Sequence, residues 1–79
     1  MPEHLVLYMR PTCPFCVKVI SFMERAGIDI PMRNISEDPD AERTLIEVGG
    51  KRQVPCLFID GKPLYESDDI IAYLRDTQA

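Results

Sequence analysis

The chain has 79 residues, enough for one small domain with a single core, and its 46% hydrophobic and 28% charged residues are the balance of a soluble globular protein. The formal charge of −4 comes with nine Lys and Arg scattered along the chain, so there is no basic stripe and a nucleic-acid partner is excluded from the expectation. No apolar run approaches the roughly 18 residues of a membrane span, and Met1-Pro2-Glu3-His4 lacks a secretory start, so no membrane partner and a cytosolic location are expected.

His4 to Met9 is a short apolar run ending in Arg10-Pro11-Thr12, the pattern of a buried strand that leads into a loop. A helix follows, capped by Thr12 or Cys13 and opened by Pro14, whose missing N–H costs nothing at a first helical position. Cys16, Ile20 and Met23 recur at helical spacing, and Gly27 supplies the stop. Ile28 to Ile35 is a second strand, and the Pro31 inside it implies an edge position or a late start. Asp38-Pro39 with Asp40 and Glu42 begins a second helix, whose inner face is Ala41, Leu45 and Val48 and which ends at Gly49-Gly50.

Pro55 to Asp60 and Lys62 to Tyr65 form a hairpin about Asp60-Gly61. Ser67, followed by Asp68 and Asp69, caps a third helix that carries Ile70, Ile71 and Leu74. The order is βαβαββα, an α/β domain over residues 1–79 with a four-stranded mixed sheet flanked by three helices, on both faces.

Three cysteines are an odd number, and two of them stand only three residues apart in Cys13-Pro14-Phe15-Cys16, which argues against a secreted disulfide scaffold and for redox chemistry or a metal. Thiol–disulfide exchange needs a thiolate to attack and a second thiol to release the mixed disulfide. Cys13, at the helix start, faces unpaired N–H groups and the positive end of the helix dipole, which favour its thiolate; Arg10 and Lys18 are cations able to add to that effect. Cys16 lies one turn deeper. The competing readings are an incidental or structural pair, and half of a zinc site completed by Cys56 or His4, for which a second Cys-x-x-Cys is missing.

Tyr8-Met9-Arg10-Pro11-Thr12-Cys13-Pro14-Phe15-Cys16, Val54-Pro55, Asp60-Gly61-Lys62 and Ser67-Asp68-Asp69, in that order and spacing, resemble a glutaredoxin over nearly the whole chain. The resemblance implies a thioredoxin-like fold with a cis Pro55. It also implies a glutathione-dependent oxidoreductase that acts on disulfides and protein–glutathione mixed disulfides. Cys13 and Cys16 would be its catalytic residues, with no tightly bound cofactor, no metal, glutathione as co-substrate and a monomeric state.

By the same resemblance, the Val54 backbone pairs with glutathione as an added strand would, Arg10 meets one carboxylate, the Ser67–Asp68 helix start meets the other, and Asp68 meets the ammonium. Ordinary helix capping is the plain alternative for Ser67-Asp68-Asp69. Lys51 and Arg52 either attract an anionic ligand or form a solvated loop pair.

Some positions depart from the family pattern. Phe15 stands where many glutaredoxins have Tyr and leaves an apolar wall beside Cys13, while Gln53 replaces a frequent Thr. Tyr65-Glu66 replaces the usual Gly-Gly, and Glu66-Ser67 is similar to the glutathione-binding segment of glutathione-transferase N-terminal domains. A transferase would add a helical second domain beyond Ala79. Cys56 is either a third redox thiol or a small, inert strand residue. Two further functions stay open at this point. One is an iron–sulfur module in which Cys13 and glutathione ligate a cluster shared by two chains; the other is a transferase-like domain that binds glutathione without chemistry.

Overall fold

The alternation of Leu5, Leu7 and Met9 with Val6 and Tyr8 gives the first strand, β1 (Leu5–Met9), two apolar faces, which need helices on both sides of the sheet to bury them. In the computed structural model, which describes residues 4–78, β1 is central: the sheet order is β2-β1-β3-β4. Met1–Glu3 and Ala79, the ends of the expected domain, lie outside the described residues. β2 (Met32–Asn34) pairs with β1 in parallel, and β3 (Cys56–Ile59) pairs with it antiparallel. β4 (Lys62–Leu64) continues the sheet antiparallel to β3. Pro31 has both effects expected of it, since β2 is an edge strand and begins only after the proline.

The β3–β4 hairpin turns on Asp60 and Gly61, with φ of 50° and 85°, the two positive angles of a type I′ turn that matches the twist of its strands.

The three helices divide two and one across the sheet. α1 (Pro14–Ala26) and α3 (Ser67–Thr77) lie on the face of Leu5, Leu7, Met9 and Leu57, into which Cys16, Val19, Met23, Ile70 and Leu74 pack. α2 (Pro39–Gly49) covers the other face, where Ala41 and Leu45 meet Tyr8, Cys56 and Phe58. The central sheet therefore splits the expected single core into two layers. Tyr8 and Phe58 stack in the second layer at 4.7 Å between ring centroids. Each fully buried Leu in these layers contributes about 1.5–3 kcal/mol relative to exposure.

The helix faces differ in detail from expectation. Val19 completes the buried stripe of α1, and Ile20 is only partly covered. On α2, Val48 is 53% exposed. A Cβ on Gly49 would instead meet the Tyr65 hydroxyl, Phe58 and Leu45, so the inward row runs Ala41, Leu45, Gly49 at a spacing of four and leaves Val48 on the flank. The α3 start is also corrected. Ser67 is its first residue and is buried, and the N-cap is Glu66, which makes no side-chain cap hydrogen bond. The chain turns into the helix through Glu66 at φ 69° and ψ 116°, so Ser67 is already inside the first turn.

Candidate active site

β1 ends where the loop Arg10-Pro11-Thr12 begins, and this loop is closed by the Cys13 N–H donating to the Arg10 carbonyl at 3.2 Å. Cys13 is the N-cap of α1, with Pro14 behind it. The strand end and the helix start thus deliver one half-exposed thiol to the surface and one thiol, Cys16, to the interior. Cys13 and Cys16 are both free. The Cys16 sulfur accepts from the Arg10 N–H at 3.4 Å, while Cys13 Sγ faces the Val54 carbonyl oxygen at 3.9 Å.

The two thiols have opposite acidities. Burial opposes ionisation of Cys13. The N–H groups of Cys16 and Phe15, the Cys16 thiol and the Arg10 charge together outweigh it, so Cys13 sits below its ordinary value. For Cys16, burial dominates, and with the neighbouring Cys13 it overrides the Arg10 N–H and pushes the thiol up to about 11. Arg10 is thus one of the two cations expected to assist Cys13, whereas Lys18 forms an ion pair with Asp68.

Val54 precedes Pro55 through a cis peptide bond, as the family resemblance implies. Next to it opens a surface groove of about 210 Å³, lined by Phe15, Lys18, Gln53, Val54, Pro55, Glu66, Ser67 and Asp68. Phe15, Val54, Pro55, Ser67 and Asp68 are therefore brought together as expected from the sequence. Arg10 is not part of this lining, and its side-chain Nε donates to the Ser36 hydroxyl at 3.3 Å. Lys18, Gln53 and Glu66 also line the groove, although the sequence pointed to Lys18 only as a cation near Cys13, to Gln53 only as a replacement for Thr, and to Glu66 only through the likeness to a transferase segment. The available signal for Lys18 was its position three residues after Phe15, which puts both on one side of α1.

Several other candidates are absorbed by structure. Lys51 lies over the Tyr65 ring at 4.5 Å, and Arg52 pairs with Glu42 at 2.8 Å. Cys56 is fully buried on the α2 face of the sheet, opposite α1, and burial pushes its thiol up to about 11. His4 sits at the far end of β1 from the thiols, its backbone N–H on Asp60 at 2.8 Å. Among the described residues, no three His, Cys, Asp or Glu side chains form a metal-ligand group, and no helix is long and apolar enough to cross a membrane.

A four-stranded mixed sheet with an acidic thiol at the first helix start and a buried partner thiol one turn deeper defines a thiol oxidoreductase of the thioredoxin-like class. The glutaredoxin family model matches residues 5–64, and the chain belongs to the glutaredoxin family. It is 33% identical over 67 residues to a probable glutaredoxin of Synechocystis sp., covering 84% of this chain and 76% of that one. Its fold is similar to the structure of a buckwheat glutaredoxin–glutathione complex, with a TM-score of 0.71 and 25% identity over 94% of this chain and 70% of that one. It is also similar to glutathione transferase Omega 3C of Trametes versicolor, with a TM-score of 0.78 and 27% identity. That match takes in 96% of this chain but only 34% of the transferase.

Proposed function

We propose that this glutaredoxin-type thiol oxidoreductase uses glutathione to reduce disulfides and protein–glutathione mixed disulfides. The observation that carries the reading is the inequality of the two thiols: Cys13 is half-exposed and acidified at a helix start, and Cys16 is buried with its pKa pushed up to about 11. In the first step the Cys13 thiolate attacks the glutathione sulfur of a mixed disulfide, and the protein thiolate leaves and takes a proton. A glutathione thiolate then attacks the Cys13–glutathione disulfide, regenerating the Cys13 thiolate and releasing oxidised glutathione. With a protein disulfide, the Cys13 thiolate attacks one sulfur and the other leaves as a thiolate that takes a proton. Cys16 then gives up its proton and attacks the Cys13 sulfur, the protein's second sulfur leaves as a thiolate and takes that proton, and two glutathione molecules reduce the resulting Cys13–Cys16 disulfide and leave as oxidised glutathione.

Glutathione lies as an added strand along Val54 in this reading, between Phe15 and Pro55, with its γ-glutamyl end toward Ser67 and Asp68. Arg10, in the loop before Cys13, meets the other carboxylate from outside the groove. The similarity to a glutaredoxin–glutathione complex supports glutathione as co-substrate. No tightly bound cofactor is proposed, and free thiols in odd number suit a reducing, cytosolic setting.

The test is turnover of a glutathione mixed disulfide with glutathione, glutathione reductase and NADPH as the electron supply. Cys13→Ser is expected to abolish it and Cys16→Ser to leave most of it. Equal loss in both variants overturns the division of roles, and no wild-type turnover overturns the function.

A further inference from the structure

The Lys18 ammonium and the Asp68 carboxylate are joined across the groove, one from α1 and the other from the first turn of α3. Both side chains are open to solvent, at 51% and 81% exposure. An exposed ion pair contributes little to stability, so an incoming ligand can separate it at small cost. The groove thus presents a positive and a negative group side by side, next to the cysteine that performs the chemistry.

An α-amino acid end carries the complementary pattern, an ammonium and a carboxylate on one carbon. Set against the Lys18–Asp68 pair, it produces four alternating charges, and each group keeps an opposite partner. The first-turn N–H groups of α3 lie on the same side of the groove and favour the carboxylate. We propose that Lys18 is a specificity-determining residue that holds the α-carboxylate of the γ-glutamyl end of glutathione while Asp68 holds its ammonium. This rests on the glutathione reading above, and what it adds is Lys18. The ligand-free ion pair is the same device closed on itself.

The alternative is that Lys18 only competes with the ligand's ammonium for Asp68, in which case its removal would improve binding. Two mixed disulfides of the same peptide separate these readings, one with glutathione and one with cysteamine, which lacks the γ-glutamyl end. For Lys18→Gln, the ratio of kcat/KM between the glutathione and cysteamine substrates is expected to fall about five- to tenfold, through KM, as for loss of a charge-assisted contact. Lys18→Arg restores most of the ratio, and raising the ionic strength lowers it in wild type.

Lys18→Gln and Asp68→Asn combined are expected to lose less than the product of the two single effects, because each group requires the other's half of the zwitterion. An unchanged or raised ratio in Lys18→Gln, or the same loss on both substrates, overturns the role of Lys18 and leaves the proposed function standing. A wild type that does not reduce the glutathione substrate overturns both.

Discussion

Cys13, Cys16 and Cys56 have one chemistry and three fates. Cys13 is half-exposed at a helix start, Cys16 is buried beneath it, and Cys56 is buried on the opposite face of the sheet. Alkylation of the folded protein by iodoacetamide, followed by mass spectrometry, is expected to label Cys13 alone, with a pH midpoint below the ordinary 9.0 of a free thiol. Arg10→Gln should move that midpoint upward, because a cation that favours the thiolate is lost. Cys16 and Cys56 should react only once the protein is unfolded. Glu66 is a second instructive residue, since its φ of 69° with ψ of 116° is a conformation suited to glycine, at a position lining the groove. Relief of that strain, partly offset by the greater chain entropy of glycine, predicts that Glu66→Gly stabilises the protein by about 1 kcal/mol, which urea denaturation would measure.

Among the elements, α2 shows how tertiary contacts override local preference. Gly49 closes the helix, where propensity alone favours Ala by about 1 kcal/mol. The Tyr65 hydroxyl, however, donates to the Gly49 carbonyl at 2.9 Å and lies 2.6 Å from where an Ala Cβ would stand. Gly49→Ala is therefore expected to lower Tm in the wild-type chain and to raise it in a Tyr65→Phe background. A lowered Tm in both would show that the clash lies with Phe58 or Leu45 instead. The first helix repeats the lesson in another form. Its two ends were legible because Pro14 follows a cap position and Gly27 follows the last turn, both consequences of backbone geometry that single residues dictate. Its buried stripe was only half legible, because whether Val19 or Ile20 faces inward depends on the angle at which the helix crosses the sheet.

For the whole molecule, the two buried thiols predict an alkaline limit. Cys16 and Cys56 have folded values of about 11 against 9.0 when free, so above pH 9 the unfolded chain releases protons that the folded chain retains. The stability contributed by keeping these thiols neutral is complete below pH 9 and is lost as pH rises through about 11. Within that window each thiol costs up to about 1.4 kcal/mol per pH unit. Urea denaturation from pH 8 to 11 checks this, and Cys56→Ala should make the decline shallower. A flat profile would contradict the burial of both thiols.

Taken alone, the sequence determined the element order, the hairpin at Asp60-Gly61, the helix start at Cys13-Pro14 and the placing of two thiols one helical turn apart, the outer at the helix start and the inner beneath it. All of these follow from residues a few positions apart, where backbone geometry and spacing suffice. Tertiary structure alone decided what depends on distant segments meeting. The central position of β1 split the core in two, and the register of β3 turned Cys56 away from the thiol pair. The approach of α3 to α1 joined Lys18 to Asp68 in the groove, fifty residues apart in the chain, and no local pattern in either segment encodes that contact.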